Sequence, residues 1–205
     1  MGKRELDTRD RILQAAREEF LEKGYQDAWL RNITRKANVT TGALYGYFKN
    51  KEELFGALVD ADYHRMLDMY DEILERFHEL PAEKQMESMM DYTSCGMHRM
   101  AAYIYDHWDS FKLILCHSEG TPYSHLVEEM VARDVQATDD FHHTSQDAGI
   151  VLNPVNPILG QMLLSNMFST FFGMVRQDLP RDQVEQYISQ LLDFHVAGWE
   201  KLWGC

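Results

Sequence analysis

The sequence predicts an all-α protein of about nine helices, in which a small N-terminal unit precedes a larger helical body. Apolar residues recur at helical spacing along most of the 205 residues, and no segment alternates long enough to predict a strand. Five prolines, at positions 81, 122, 154, 157 and 180, fall at breaks between the helical patterns. A composition of 45% hydrophobic and 26% charged residues is typical of a folded globular chain.

The first fifty residues predict three short helices. The first helix covers residues 8–23, with apolar residues on one face and Gly24 placed to end it. Two shorter helices occupy residues 28–48 and are separated around Asn38. Thr40 is expected to cap the later helix, because its hydroxyl can accept a hydrogen bond from a free backbone N–H.

The body is predicted to consist of longer helices. A helix of residues 50–80, about 45 Å long at the helical rise, bridges the N-terminal unit and the body. The clearest loop is residues 147–157, which contain Gly149 and two prolines. The remaining helices are predicted at residues 83–106, 108–116, 123–146, 157–177 and 182–203.

The formal net charge of −13 is divided unevenly along the chain. Residues 1–51 contain 11 Lys and Arg against 7 Asp and Glu, whereas residues 52–205 contain 9 against 26. The balances are therefore +4 and −17. We predict a domain boundary at this point, with one domain of residues 1–51 and a second of residues 52–205. A basic module on an acidic body is compatible with nucleic-acid binding, although the acidic total is not what a DNA binder usually shows.

The helix predicted after Thr40 has an outer face without charge. Small residues let a helix backbone approach base edges, while hydroxyls and lysines bind phosphates. Leu44 and Phe48 are predicted to lie in the core of the unit. The pattern therefore predicts a helix-turn-helix that binds double-stranded DNA. Its outward residues and the two lysines that follow are Thr41, Gly42, Ala43, Tyr45, Tyr47, Lys49 and Lys51.

Three segments of the N-terminal part carry a resemblance to a known family. They are Ile12-Leu13-Gln14-Ala15-Ala16 with Phe20 and Gly24-Tyr25, then Ile33 with Ala37 and Val39, and then the specific run TGALYGYFKNKEEL from Thr41 to Leu54. With these segments, residues 8–58 resemble the DNA-binding region of the TetR family of bacterial transcription regulators. The resemblance implies a three-helix helix-turn-helix DNA-binding domain and a larger helical ligand-binding and dimerisation domain. It also implies a homodimer formed by the last two helices.

Three positions depart from the usual pattern of that family. Trp29-Leu30 stands where small hydroxyl residues are usual, Thr34 where alanine is usual, and Asn38 where glycine usually makes the turn. Because asparagine adopts a left-handed backbone more readily than most residues, we expect the turn to be retained. The side chain at position 29 lacks the hydroxyl that usually caps the helix and contacts a phosphate.

The resemblance implies DNA contacts at the matching positions. Tyr45, Tyr47 and Lys51 are expected to bind phosphates, with packing inside the unit as the alternative for the tyrosines. Thr41 and Ala43 are expected to read bases, the alanine through a thymine methyl group. The predicted DNA-binding residues are Arg31, Thr40, Thr41, Gly42, Ala43, Tyr45, Tyr47, Lys49 and Lys51.

The segment 155–175 has no charged residue and is apolar around most of its circumference, so it is expected to be buried on all sides. Ser165, Ser169 and Gly173 form a stripe of small side chains that lets another helix approach closely. We predict a four-helix interface between two subunits, with an intrachain core as the alternative. The predicted interface residues are Met162, Ser165, Ser169, Phe172, Gly173, Ile188, Leu191, His195 and Trp199.

The middle helices are rich in methionine and aromatic residues, which adapt to flat or irregular apolar ligands. The same residue types at helical spacing are also typical of an ordinary core. We predict a pocket for a small apolar or aromatic effector, lined by Met97, Met100, Tyr103, His107, Trp108 and Phe111.

Histidines and cysteines of the body raise the alternative of a metal or haem site. Cys95 and His98 stand three residues apart, and Glu75 with His78 has the Glu-x-x-His spacing of di-iron helices. A di-iron site needs a second such motif, and the sequence contains none. We therefore predict no metal, no cofactor and no catalytic residue.

Together these features predict a ligand-responsive, DNA-binding transcription regulator. We expect a repressor that binds a palindromic operator as a homodimer and is released by a small molecule. The alternative is a helical ligand- or metal/haem-binding protein whose N-terminal unit serves assembly rather than DNA. Three cysteines without a spaced framework, and no signal-like apolar start, predict a cytoplasmic protein without a membrane partner.

Overall fold

A computed structural model describes residues 7–204, and within that range every regular element is a helix. Cys205 lies outside the described residues. Two short 3₁₀ helices, Pro122–His125 and Arg181–Gln183, accompany the α-helices. The α-helices are α1 (Thr8–Asp27), α2 (Leu30–Ala37), α3 (Thr41–Tyr47), α4 (Lys51–His78), α5 (Ala82–Asp106), α6 (Trp108–Cys116), α7 (Leu126–Asp147), α8 (Pro157–Phe171), α9 (Gly173–Arg176) and α10 (Val184–Trp203).

The predicted all-α class is confirmed, and the element boundaries agree with the periodicity to within a few residues. One difference lies in the helix predicted over residues 157–177, which is broken at Phe172 into α8 and α9. The Tyr187 hydroxyl donates to the Thr170 carbonyl at 2.6 Å and so competes with the helical hydrogen bonds at this break. Counted as one interrupted helix, α8 and α9 account for the difference between nine predicted helices and ten described ones.

The chain forms two compact units. The first consists of residues 7–64 and 107–124, and the second of residues 65–106 and 125–204. Helix α4 is continuous and contributes residues to both units. The domain boundary after residue 51 is predicted from the change in net charge. It stays a prediction.

The first unit packs α1, α2, α3, α6 and the start of α4 around a small aromatic core. Ile12 and Phe20 of α1 are fully buried, as their helical spacing indicates. The Phe20 and Phe55 rings meet edge to face with centroids 5.1 Å apart. Gly24, with φ of 75°, interrupts α1 where the sequence predicts its end, because glycine adopts positive φ without a steric penalty.

The second unit is built from the remainder of α4 with α5, α7, α8, α9 and α10. The Tyr70 and Phe168 rings pack edge to face at 5.3 Å and join α4 to α8. On the surface, Glu72 of α4 is bridged by Arg65 at 2.8 Å and by Arg99 of α5 at 2.7 Å. The hydrogen bonds from these two guanidinium groups lower the pKa of Glu72 to about 2.

The segment Pro157–Arg176, which contains α8 and α9, is long and apolar enough among the described residues to cross a membrane by length and composition alone. Its mean hydropathy is 1.3, and 39% of its most apolar window is buried inside the protein. The core helix of a globular protein has the same length and composition, so this segment is weak evidence for a membrane.

Candidate functional site

The turn between α2 and α3 has the left-handed backbone that the sequence predicts. Asn38 ends α2 with φ of 54° and ψ of 50°. The Val39 amide donates to the Thr34 carbonyl at 3.0 Å and closes the turn. Asparagine therefore takes the place that glycine would usually occupy, and this prediction is confirmed.

The start of α3 is fixed by a side-chain cap. The Thr40 hydroxyl accepts a hydrogen bond from the Ala43 amide at 3.1 Å, as predicted for an N-cap threonine. Leu44 and Phe48 point into the unit and are buried, which confirms their assignment to the core. The cap and these two apolar anchors together determine which face of α3 is turned outward.

The outward face of α3 is uncharged and open. Thr41 and Gly42 are exposed, and the side chains of Tyr45 and Tyr47 are 51% and 48% exposed. A Cβ atom added at Gly46 would meet no atom within 4 Å, and one at Gly42 would only touch the Thr40 hydroxyl at 3.9 Å. Internal packing therefore does not require glycine at either position. A helix face with side chains this small is open to close approach by another molecule.

A buried carboxylate, which the sequence patterns do not reveal, anchors the start of α2. Glu19 of α1 is buried and accepts a hydrogen bond from the Asn32 amide at 2.8 Å. The same oxygen, Oε1, is approached by the Trp29 amide at 3.5 Å, and the other oxygen, Oε2, pairs with the Lys36 ammonium at 3.0 Å. Burial by itself raises the pKa of Glu19, but the hydrogen bonds from Asn32 and Lys36 outweigh burial and lower the pKa overall.

Glu19 thus holds the start of α2 through the Trp29 amide and the Asn32 side chain, next to a position that supplies no capping hydroxyl. Trp29 stands at the N-cap of α2 without a side-chain cap bond, and its indole is 68% exposed. The sequence signal that could have revealed this anchor is a glutamate on the otherwise apolar, core-facing side of α1. Its partners come from α2, so helical spacing in α1 alone does not identify them.

We expect Glu19→Ala to lower the free energy of unfolding by about 2 kcal/mol, because the variant leaves Asn32 and Lys36 without their buried acceptor. Chemical denaturation with Glu18→Ala, an exposed neighbour on α1, as the control measures this. Since the folded pKa of Glu19 is lowered, the difference should be full at neutral pH and should shrink below the ordinary pKa of glutamate. Equal losses for the two variants would contradict the anchoring role.

The basic residues predicted to meet DNA differ in their surroundings. Arg31 and Lys49 are exposed. Lys51 is half-buried: its ammonium donates to the Gln26 carbonyl at 2.9 Å and lies 4.8 Å from the centre of the Tyr25 ring. Desolvation lowers the pKa of Lys51. An ammonium has three donors, so a phosphate contact by Lys51 would have to share the group with the end of α1.

A cavity of about 130 Å³ lies inside the second unit. Met97 and Met100 of the predicted pocket residues line it, whereas Tyr103 does not. His107, Trp108 and Phe111 belong to the first unit, where Phe111 is fully buried in the core. The Met-rich pattern of α5 identified part of the lining. Other lining residues come from α4, α7, α8 and α10, which are distant in sequence and share no local motif with α5.

A few polar groups interrupt the apolar lining of this cavity. The Tyr70 hydroxyl of α4 donates a hydrogen bond to the carboxylate of Asp134 on α7. Burial raises the pKa of Asp134 to about 6, although the bond from Tyr70 acts in the opposite direction. His195 of α10 is buried, and desolvation lowers its pKa. Within the described range, the buried indole nitrogen of Trp203 has no hydrogen-bond partner.

The residues predicted for a subunit interface divide into two groups. Met162 and Ser169 are exposed, and Ser165 and Gly173 are half-buried. A Cβ at Gly173 would lie 3.2 Å from the Tyr187 hydroxyl, so the small residue serves packing within the chain. The second group is buried in the core of this chain, which leaves it little surface for a partner: Phe172, Ile188, Leu191, His195 and Trp199.

Large apolar side chains nevertheless remain exposed on α8 and α10. Ile158, Leu159 and Met162 of α8 are 70%, 44% and 67% exposed, and Phe194 of α10 is 73% exposed. Ile158, Met162, Ser165 and Ser169 follow helical spacing and share one face of α8. The burial in α10 follows the predicted periodicity, but the exposed Phe194 lies between the predicted positions.

No group of three or more His, Cys, Asp or Glu side chains that could hold a metal ion is found in residues 7–204. Cys95 and Cys116 are exposed and are not joined by a disulfide bond. The Nε2 atom of His78, from the Glu-x-x-His motif, lies 3.2 Å from the Ala137 carbonyl.

The sequence of the N-terminal region matches known regulators. The family model described as "Bacterial regulatory proteins, tetR family" matches residues 12–58. The HTH-type transcriptional regulator UidR of Escherichia coli strain K12 is 39% identical over 71 residues, which are 35% of this chain and 36% of UidR. The chain therefore aligns with about a third of the length of this curated relative.

The fold of almost the whole chain matches solved structures. NalD, the secondary repressor of the MexAB-OprM multidrug efflux pump in Pseudomonas aeruginosa, aligns with a TM-score of 0.56 and 22% identity over 93% of this chain and 94% of NalD. FadR from Bacillus subtilis, solved in complex with stearoyl-CoA, aligns with a TM-score of 0.57 and 18% identity over 92% of this chain and 97% of FadR.

At these identities the structural matches establish the fold alone, and the likeness to the tetR family rests on the sequence of residues 12–58. Neither match favours the alternative of an N-terminal unit that serves assembly only. Residues 12–58 are thus similar in sequence to the tetR family of bacterial regulatory proteins, and the chain as a whole is similar in fold to NalD and FadR.

Proposed function

We propose that the chain is a cytoplasmic transcription regulator that binds double-stranded DNA as a homodimer through α3. A small-molecule effector in the cavity of the second unit controls this binding. The regulators UidR and NalD, which are similar in sequence and in fold respectively, support the proposal. FadR, solved with stearoyl-CoA, supports a ligand-binding role for this fold.

The observation that carries the DNA-binding proposal is the outward face of α3. Its glycines and threonines fill no internal space, and its two tyrosines are about half exposed. A helix entering the major groove needs small side chains near the base edges and hydroxyls or cations beside the phosphates. α3 and the exposed Lys49 provide this arrangement, whereas an ordinary solvated helix would carry charges.

The exposed apolar residues of α8 and α10 support a homodimer. Monomeric proteins rarely expose several large apolar side chains on neighbouring elements, and such surfaces mark interfaces. Two copies of the chain present two α3 helices, which suits a palindromic site with half-sites about 34–36 Å apart. The surface that we assign to the partner copy consists of Ile158, Leu159, Met162, Ser165, Ser169 and Phe194.

Selection of duplexes from a random pool by the purified chain tests the DNA proposal and identifies the operator in the same experiment. We expect enrichment of a palindromic sequence. Its affinity should fall steeply with salt, with a slope of about −0.9 per phosphate neutralised in a plot of log K against log salt. An unchanged pool, or binding that is insensitive to salt, would contradict the proposal.

The dimer surface can be tested by placing a charge on each of its two helices. We expect the double variant Met162→Glu, Phe194→Glu to be monomeric at concentrations where the wild type is dimeric, because the interface would then bury unpaired carboxylates. Light scattering after size exclusion measures the mass. Val151→Glu is the matched control, since Val151 is 92% exposed but lies outside the surface. A dimeric double variant would exclude this surface.

For regulation, we propose that the ligand-free dimer occupies the operator and represses transcription. The effector favours an arrangement of the two subunits in which the two α3 helices no longer match the spacing of the major groove. The effector acts only through unequal affinity for the two arrangements. Helix α4 is the element that both units share, since it begins just after α3 and contributes Tyr70, Ile73, Leu74 and Phe77 to the cavity.

A further inference from the structure

We propose that the effector is a small organic cation, an amine on an aromatic ring or a short apolar chain, whose ammonium group pairs with Asp134. This inference rests on the proposed function, because it assigns a ligand class to the effector cavity. It goes beyond the apolar or aromatic ligand that the sequence predicts, since it requires a positive charge.

Asp134 has acceptor capacity beyond the bond from its tyrosine neighbour. An ionised carboxylate offers about four lone-pair sites, and Tyr70 donates to one of them. Arg133, the next cation along α7, is turned to Asp71 at 3.0 Å and to Glu129 at 3.4 Å. The cavity lining within residues 7–204 includes no lysine or arginine. A ligand cation would therefore supply the positive partner that this carboxylate lacks in the cavity.

The remainder of the lining suits the apolar part of such a ligand. An engineered cavity of about 150 Å³ binds benzene, so a space of about 130 Å³ has the scale of one aromatic ring. Aromatic faces attract cations through their quadrupoles, which favours an ammonium over a neutral group. Trp203, whose buried indole nitrogen has no hydrogen-bond partner among residues 7–204, also lines the cavity. The aromatic lining residues are Tyr70, Phe77, Tyr92, Phe141, Trp199 and Trp203.

The titratable groups around Asp134 do not replace a ligand cation. α4 contributes Tyr70, α5 contributes Tyr92, and α10 contributes His195, while α8 lines the cavity with apolar Leu164 and Met167. Burial lowers the pKa of His195 and so disfavours the charged imidazolium. With its pKa raised to about 6, Asp134 is mostly ionised at pH 7 and mostly protonated at pH 5.

Three ligands of nearly equal size distinguish the effect of ligand charge on binding from the effect of ligand shape. Calorimetric titrations of the full chain, without DNA, use 2-phenylethylamine, 2-phenylethanol and phenylacetate at pH 7. We expect the amine to bind at least about tenfold more tightly than the alcohol, because a charge-assisted hydrogen bond to a desolvated carboxylate is stronger than a neutral one. We expect phenylacetate to bind most weakly, since its carboxylate is repelled by Asp134.

Asp134→Asn should remove the preference for the amine, and the matched control Asp140→Asn should keep it. Asp140 is an exposed aspartate on the same helix, and its carboxylate accepts a hydrogen bond from the Gln136 amide at 2.9 Å. In the wild type, amine binding should weaken about tenfold from pH 7 to pH 5, as the ionised fraction of a group with a pKa of about 6 falls. Protonation of His195 would also weaken amine binding at pH 5. The pH dependence that remains in Asp134→Asn measures this contribution of His195.

Equal binding of amine and alcohol, tighter binding of phenylacetate, binding of none of the three, or a preference that survives in Asp134→Asn would each overturn the assignment. These titrations contain no DNA, so their failure leaves the DNA-binding proposal untouched. Conversely, amine binding that depends on Asp134 would stand even if selection from random duplexes failed.

Discussion

Gly42→Glu is expected to lower the affinity for a selected operator by at least about a hundredfold while leaving the protein folded. Gly42 lies on the exposed face of α3, where the proposed complex brings the helix backbone close to DNA. A glutamate there adds bulk and a negative charge facing phosphates, and like charges in an interface cost several kcal/mol. The variant should not disturb the unit, because a Cβ at this position meets only Thr40 at 3.9 Å.

Helix propensity separates this effect from misfolding. Glutamate is a better helix former than glycine and is favourable in the first turn, so the thermal midpoint should be unchanged or higher. Ala132→Glu, at an exposed position of α7 in the second unit, adds the same charge and serves as the control. Fluorescence anisotropy with the labelled operator measures affinity. Equal affinities for the two variants would contradict the placement of α3 against DNA.

Asp134→Asn is expected to stabilise the ligand-free protein by about 3 kcal/mol at pH 7. Burial raises the pKa of Asp134 from its ordinary value of 3.8 to about 6, and a change of one in a pKa corresponds to about 1.4 kcal/mol. An acid whose pKa is higher in the folded state than in the unfolded state lowers the free energy of unfolding once the pH exceeds its ordinary pKa. This loss of stability reaches its full size above the pKa of the folded state. Asparagine removes that loss and can still accept the bond from Tyr70.

The pH dependence gives this second prediction its test. The free energies of unfolding of Asp134→Asn and the wild type should be nearly equal at pH 4 and should diverge up to about pH 6 to 7. Urea denaturation across this range, with Asp140→Asn as the control, measures the difference. A variant that is less stable than the wild type at pH 7, or a difference independent of pH, would show that the ionised carboxylate is not a source of instability.

Much of the fold follows from local patterns in the sequence. The spacing of Ile12 and Phe20, the position of Gly24 and the caps at Asn38 and Thr40 act within one helix or turn, so the sequence predicts them. The break at Phe172 is different, because the Tyr187 hydroxyl that contacts Thr170 comes from a later helix. Periodicity carries no information about such a contact.

The candidate sites show the same division. The outward face of α3 is predictable, because one helix supplies all of it. The Glu19 anchor and the Asp134 cavity each need side chains from helices that are distant in sequence. In α10, helical spacing identifies the core-facing stripe that contains Ile188 and Leu191, but it does not distinguish exposed positions that a partner could cover, such as Phe194 of the proposed dimer surface.

Methylation interference on a selected operator tests the central claim, that two copies of α3 enter the major groove, most directly. Methylation of guanine N7 modifies the major-groove edge, while methylation of adenine N3 modifies the minor groove. We expect strong interference from N7 methylation in two clusters about one helical turn apart, related by the symmetry of the site. Interference confined to adenine N3, or a single cluster without a symmetric partner, would contradict the claim.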